Sequence, residues 1–461
     1  MRVVALWCGL VLAMLPLLAA QREGGPGRPN ILLIQADDLG YGDLGVYGQT
    51  RFRTPSLDRM AAEGVRFTQY YAGSTVCAPS RTSLLTGLHT GHAYIRGNAE
   101  LSLRPEDTTV AEVLQAAGYR TALFGKWGLG QEDTLGRPDR QGFADSLAVL
   151  DQRHAHRQFT DHLYRNGSRV PVHPDDYTND LFTRETLDFI DRKDERPFFV
   201  YLNYTVPHAE LRVPEEAIAP FRGVFPEPAP FANLTADAKE AGPDGPSLGY
   251  RSQPTPRAAF AAMVTRMDRD VGRILERLRE RGLDRQTLVL FTSDNGPHVE
   301  GGADPVFFRS SGPLRGVKRD LYEGGIRVPM IVRWPGTVPA GRPSSHVWAH
   351  WDLLPTFAEL AGAKAPEGLD GRSMVPALLG QSQPTHDFLY WEFHERGFQQ
   401  AVRMGRWKGI RLKPGAPLEL FDLSRDPAES RNVADANPSV VASIEAFLKR
   451  ARTTSTVWPG Q

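Results

Sequence analysis

Asp37, Asp38, Asp294 and Asn295, three carboxylates and an amide, offer only hard oxygen ligands. A site built from them suits Ca²⁺ or Mg²⁺ rather than zinc, which prefers the nitrogen and sulfur of His and Cys. Taken singly, each pair has a plainer reading: Asp37-Asp38 as an N-cap or turn pair, Asp294-Asn295-Gly296 as a turn. Arg81, Lys126, His208 and Lys318 are the cations and proton donors that could hold an anion. A lysine after a glycine, like Lys126, is commonly a solvated surface residue, and a lone histidine is commonly structural. Lys plus Arg equals Asp plus Glu at 54 each, so no overall field draws nucleic acid or an anionic membrane. An anionic substrate must therefore be captured by local charge.

Cys77 sits in Cys77-Ala78-Pro79-Ser80-Arg81-Thr82-Ser83-Leu84-Leu85-Thr86-Gly87. The other cysteine, Cys8, lies in a stretch that reads as a signal peptide over residues 1–20. Met1-Arg2 supplies the positive start, Val3 to Leu18 is apolar apart from Gly9 and Pro16, and Leu18-Ala19-Ala20 closes it with small residues. That run is too short and broken for a comfortable membrane span. The expectation is an exported protein, periplasmic or secreted, with no stable membrane span. A lone thiol in an oxidising compartment is a liability, so Cys77 is either an inert buried thiol or a residue with chemistry to do.

The elements that must position these residues can be read from short apolar runs with polar carboxyl ends. Asn30 to Gln35 ends in Asp37-Asp38, Thr121 to Phe124 runs into Gly125-Lys126-Trp127, Phe198 to Leu202 leads towards His208, and Thr287 to Phe291 ends in Ser293-Asp294-Asn295-Gly296. Val110 to Ala117 and Arg257 to Arg281 read as helices between them; Phe260, Val264, Met267, Val271, Ile274 and Leu278 make one core-facing stripe in the second. Alternating strands and helices predict an α/β fold, a large and mostly parallel sheet sandwiched by helices. Ligands in such sheets bind outside the carboxyl ends of the strands, where four runs here deliver polar groups together. Lys318 lies in a Gly-rich loop, Gly316 to Gly325, leading into Met330-Ile331-Val332. Past about Pro384, Phe388 to Phe393, Gln400 to Arg403, Trp407 to Ile410 and Leu418 to Phe421 read as short strands, and Val440 to Arg450 as a closing helix. This predicts a main domain over 21–380 and a C-terminal subdomain over 381–461, a small antiparallel sheet with one helix.

The Cys-x-Pro-Ser-Arg run at Cys77 resembles the signature of the type I sulfatases, and Gly118 to Trp127 resembles their second signature. Asp37-Asp38, Ser293-Asp294-Asn295-Gly296 and Tyr322-Glu323-Gly324-Gly325 occur in that family's order. Leu420-Phe421-Asp422-Leu423 with Asp426-Pro427-Ala428-Glu429 and Asn432 resembles its C-terminal subdomain. The likeness spans residues 29 to about 450 and is to bacterial members of the arylsulfatase A-like group, which have an alkaline phosphatase/sulfatase-like fold. It implies a sulfuric ester hydrolase in which Cys77 is oxidised to formylglycine by a formylglycine-generating enzyme. By the same resemblance Asp37, Asp38, Asp294 and Asn295 bind Ca²⁺, ahead of Mg²⁺. Arg81 and Lys126 stabilise the nucleophile, and His208 and Lys318 hold the sulfate while one of them protonates the leaving oxygen. The implied substrate is a sulfated small molecule, a mono- or oligosaccharide first. Specificity would come from the loops at 89–98, 131–161 and 210–254.

One residue departs from the family pattern: many relatives carry a histidine base after Gly-Lys-Trp, and here Gly128 follows. His89, His92 and His298 lie near site motifs and are the substitutes the sequence offers. Two other functions remain open at this stage. A phosphomonoesterase or phosphonate hydrolase would share the sheet and metal edge but use Ser or Thr and a larger two-metal set. A catalytically silent carbohydrate-binding relative would be favoured only by Gly128.

Overall fold

The computed structural model describes residues 27–233 and 249–460; the expected signal peptide lies outside them. Its main sheet is formed by β1 (Asn30–Asp37), β2 (Val65–Tyr71), β3 (Arg120–Lys126), β4 (Asp145–Val149), β5 (His162–Arg165), β6 (Ser168–Pro171), β7 (Phe198–Pro207), β8 (Thr287–Ser293), β9 (Arg327–Arg333), β10 (Arg342–Ser344) and β11 (Trp348–Ala349). They run in the order β10-β2-β9-β8-β1-β7-β3-β4-β5-β6, with β11 also on β2.

Side chains of β1 alternate between two apolar layers: Leu32, Ile34 and Ala36 enter one, Ile31 and Leu33 the other. β7 and β8 do the same, with Val200 and Phe291 on the first side and Tyr201 and Leu290 on the second. Burial on both faces is why these strands read as unbroken apolar runs. The first layer is closed by the helices Pro55–Ala62, Thr178–Asp191 and Pro256–Glu280, whose stripe of Phe260, Val264, Met267, Val271, Ile274 and Leu278 is fully inside it. Each such side chain contributes on the order of 1.5–3 kcal/mol over exposure. The helices Val110–Ala116 and Leu353–Leu360 close the second layer with Leu114, Leu354 and Phe357.

The middle of the sheet, β8-β1-β7-β3-β4, is parallel throughout. The flanks are not. β9 lies antiparallel to both β8 and β2, and β4-β5-β6 is an antiparallel meander. The sheet is therefore mixed, with its parallel part where the sequence pattern located it.

The second sheet is antiparallel, β12 (Leu389–Phe393), β13 (Gln399–Met404), β14 (Trp407–Arg411) and β15 (Glu419–Asp422) in sequence order. One face packs Tyr390, Val402 and Leu420 against Ile444 and Leu448 of the helix Pro438–Leu448. The other packs Trp391, Phe393 and Ile410 against Tyr71, Ile326 and Trp351 of the main body. Buried charges tie the two parts. Lys408 Nζ is 3.0 Å from Glu323 and 2.9 Å from Glu429, and Glu392 meets Arg96 at 3.2 Å and Arg452 at 2.9 Å.

Candidate active site

β1 and β8 are clamped together where they end. The Asp294 N–H donates to Ala36 O (3.1 Å), the Asp38 N–H to Asp294 Oδ1 (3.0 Å) and the Leu39 N–H to Ser293 Oγ (2.9 Å). Asp38 takes φ 64°, a left-handed conformation that Asp tolerates better than most residues and that turns the chain sharply off the strand. Asp37 and Asp38 are thereby fully buried at the carboxyl edge of the sheet.

Cys77 is the first residue of the helix Cys77–Thr86, and its Sγ lies 3.6 Å from Asp37 Oδ1. Ser80 anchors this helix: its hydroxyl donates to Asp294 O and accepts from the Gly73 N–H (3.0 Å). One turn after Cys77, Arg81 donates through Nε (3.1 Å) and Nη2 (2.7 Å) to Asp294 Oδ2, and through Nη1 to Lys126 O (3.2 Å). Lys126, the last residue of β3, donates to Asp37 Oδ2 at 2.8 Å. Lys318 donates to Asp38 Oδ2 at 2.7 Å. Its loop is held by the Lys318 N–H on Pro297 O (2.8 Å) and the Arg319 N–H on Thr75 O (3.1 Å). His208, just after β7, puts Nε2 at 3.3 Å from Asp38 Oδ2 while Nδ1 lies against Ala209 O. All nine residues singled out in the sequence meet in one buried cluster.

Its charges balance, with Asp37, Asp38 and Asp294 opposed by Arg81, Lys126 and Lys318. Burial acts against the charged form of each cation, but Asp294 and Asp37 outweigh it at Arg81, Asp37 at Lys126 and Asp38 at Lys318, so all three titrate above their ordinary values. Burial pushes the Cys77 thiol up, against the pull of Lys126 and Lys318. Burial, then Lys318 and His156, hold His208 well below the usual histidine range.

The chemistry of the cluster fits a divalent cation. Asn295 spends its Nδ2 on Asp38 Oδ1 (2.6 Å) and Gly296 O (2.9 Å), which leaves Oδ1 buried with no partner among the described residues. A buried acceptor left bare costs about 1–3 kcal/mol unless a positive group meets it. Ligand atoms of Asp37, Asp38, Cys77 and His208 all lie within 4.8 Å of one another. The thiol and the imidazole therefore stand directly beside the oxygen set.

Gly128 has φ 75°, and a Cβ there would stand 2.3 Å from Gln152 Nε2, whose amide donates to Gly128 O at 3.3 Å. The backbone strains any side chain at this position, and Gln152 would have to move to admit one. Of the three substitutes, His89 and His92 are tied to Asp370, at 3.4 and 2.8 Å, away from the carboxylate cluster. His298 does reach the site, its ring 5.3 Å from that of His208, but both its nitrogens are used. Nε2 donates to Pro207 O (3.0 Å) and Nδ1 accepts from the Glu300 N–H (3.2 Å). The sequence reading missed His156, stacked on His208 at 4.2 Å and 11°. Its signal was available: the apolar run Ser146-Leu147-Ala148-Val149-Leu150 is β4, parallel to β3, so the loop after it opens on the same edge.

Comparison with known proteins adds the following. The sequence profile described as Sulfatase matches residues 29–363, and that of N-sulphoglucosamine sulphohydrolase, C-terminal, matches residues 317–454. The chain is 34% identical to human arylsulfatase A, over 95% of this chain and 89% of the other. It is 32% identical to the N-acetylgalactosamine-6-sulfatase of the dog, over 88% and 82%. Among solved structures, that of Ps i-CgsB in complex with k-i-k-neocarrahexaose is similar at a TM-score of 0.79 and 29% identity, covering 94% of this chain and 95% of that one.

Proposed function

This chain belongs to the sulfatase family, and from that premise we propose that it hydrolyses sulfate esters of carbohydrates, with a formylglycine made from Cys77 and a calcium ion at the sheet edge. The observation that carries the reading is the convergence of Cys77, Arg81, Lys126 and Lys318 on the Asp37–Asp38 pair. The carbohydrate half draws on the relatives, an N-acetylgalactosamine-6-sulfatase and a structure holding k-i-k-neocarrahexaose.

A sulfate ester resists attack because its oxygens repel nucleophiles. Fixed cations in a dry site cancel that repulsion where charge develops, with no reorganisation at the moment of reaction. Calcium held by Asp37, Asp38, Asp294 and Asn295 would supply a Lewis-acid contact to a sulfate oxygen. Hydrated formylglycine would supply one hydroxyl to attack sulfur and a second whose proton loss regenerates the aldehyde and expels sulfate. Arg81 and Lys126 hold the nucleophile's side of the pocket, Arg81 being locked in direction by its two bonds to Asp294. Lys318 and His208 hold the sulfate on the Asp38 side. Lys318 carries protons in every form, whereas His208, with Nδ1 facing a carbonyl, has an Nε2 proton only as the imidazolium, so Lys318 delivers the proton to the departing oxygen. The expected export rests on residues 1–20; among the described residues no helix is long and apolar enough to cross a membrane.

The test is made on protein produced with and without a formylglycine-generating enzyme. Conversion should give the peptide containing Cys77 the mass loss expected when SH and H are replaced by one oxygen, and sulfate release should follow the converted fraction. Cys77→Ala should fold and release no sulfate. Removing calcium should abolish release, and adding it back should restore it. Sulfate release by Cys77→Ala, or by metal-free protein, overturns the reading.

A further inference from the structure

We propose that His156 is a substrate-binding residue that reads a free hydroxyl next to the sulfate ester, so that the preferred substrate is a sugar monosulfated at that pair of positions. The proposal rests on the sulfatase reading above and names what lies just outside its sulfate pocket.

The ring of His156 lies face to face on that of His208, whose other edge points at Asp38. It is thus one ring thickness from the group that lines the cluster. Tyr250 closes the same wall, its ring 5.5 Å from His156 and 5.9 Å from His208. The backbone of His156 is fixed by the Glu210 N–H on its carbonyl (3.1 Å), and its neighbour Arg157 by the ion pair with Glu210 (3.1 Å). The ring is half-buried, and neither of its nitrogens has a hydrogen-bond partner among the described residues. The contrast with the histidines nearby is direct. His154 is spent on Thr160, His92 on Asp370, and His298 on Pro207 and Glu300. A ring held in place by stacking and backbone, with its polar atoms unspent beside an anion pocket, is built to meet a ligand.

What it can meet follows from its charge. Burial, then Lys126 and Lys318, hold His156 well below the ordinary histidine value, so it is neutral. A neutral imidazole presents one N–H and one bare nitrogen, which match a hydroxyl that both accepts and donates. A second sulfate or a carboxylate has no proton to offer and would leave that bare nitrogen unmatched; the fields that reach the ring, from Lys126 and Lys318 and then Glu300, do not by themselves choose between a hydroxyl and an anion.

The experiment uses converted, calcium-loaded enzyme and monosulfated methyl glycosides, each paired with one analogue whose neighbouring hydroxyl is replaced by hydrogen and another in which it is sulfated. His156→Phe keeps the stack on His208 without the hydrogen bonds, and His156→Gln keeps a donor and an acceptor. Wild type should prefer the best glycoside over its deoxy analogue by about 10- to 100-fold in kcat/KM, the scale of one or two buried hydrogen bonds. His156→Phe should bring that ratio near one, and His156→Gln should keep part of it. Calorimetric titration of the same sugars onto Cys77→Ala protein, where nothing turns over, should show the same ratios. Equal use of parent and deoxy sugars by wild type, a preference for the disulfated analogue, or discrimination that survives in His156→Phe each overturns the proposal. So does an equal loss on parent and deoxy sugars in His156→Phe, which would make the ring a support for His208. Absence of sulfate release from every ester by converted wild type overturns the sulfatase reading instead, and the calorimetric ratios still decide on His156.

Discussion

Putting a histidine back after Gly125-Lys126-Trp127 would not restore the family's pattern. At φ 75° a residue with a Cβ is strained, and Gln152 already fills the space. Gly128→His should therefore lower unfolding free energy by about 1–2 kcal/mol for the backbone alone, read from a denaturant titration, and should leave kcat no higher than wild type. A gain in kcat at unchanged stability would show that Gln152 yields. Much of the cluster around Cys77 was legible in the sequence because Asp37, Asp38, Lys126, His208, Asp294 and Asn295 follow apolar runs, as Lys126 does after Thr121 to Phe124; Cys77 and Arg81 were legible through the Cys-x-Pro-Ser-Arg run and Lys318 through its Gly-rich loop. For His156 the run before it, Ser146 to Leu150, marked the loop but not the residue, because His154 stands two positions earlier and nothing in the sequence separates the two. Asn295 was legible as a ligand type. That its oxygen is left without a partner depends on Asp38 and Gly296 taking both protons of its amide, a matter of geometry alone.

Between elements, the join that bears most on the site is Lys408 in β14, wedged between Glu323 and Glu429. Glu323 opens the short helix Glu323–Ile326 directly after the Lys318 loop, and its own N–H donates to Glu429 Oε2 at 2.6 Å. One ammonium from the small sheet thus fixes the segment that aims Lys318. Lys408→Met should cost about 3–5 kcal/mol, since it leaves buried carboxylates facing each other, and should lower kcat/KM through a displaced Lys318. Adding Glu429→Gln should recover part of both, because it removes one of the two like charges; a double-mutant cycle in urea and in turnover measures the coupling. Strands buried on both faces were readable as continuous apolar runs, and those of the small sheet as short runs between Gly- and Pro-containing turns. β2, with its mixed inside and half-exposed positions, and the two-residue β11 carry too little pattern to read. The antiparallel flank follows from β9 pairing with β8, the strand before it, and with β2, far earlier in the chain, and no local period encodes either direction.

Across the whole molecule, Glu392 pins the small sheet to the main body through Arg96 and to the C-terminal segment through Arg452. Burial works against its charge, but His394, Arg452 and Arg96 prevail and hold its pKa at about 2, below the ordinary 4.5. A carboxyl depressed in the folded state adds stability above pH 4.5 and loses it as pH falls towards 2. Over that span the loss is about 3 kcal/mol. Glu392→Gln should unfold at lower urea than wild type at pH 7, and the gap should narrow on acidification; a gap constant with pH would mean the charge is not what holds the sheets together. The order of strands has a further effect, in time rather than in energy. β1 lies between β7 and β8, so the first strand made cannot pair until residues 198–207 and 287–293 have followed it. While the chain is being synthesised, the helix that begins at Cys77 has neither Asp294 to seat Arg81 nor Lys318 to close the edge. During that interval Cys77, almost fully enclosed in the finished protein, belongs to an open segment that a modifying enzyme can grip as a peptide. The late arrival of the central partners sets a clock, and on the proposed reading a conversion of Cys77 has to be finished before it runs out.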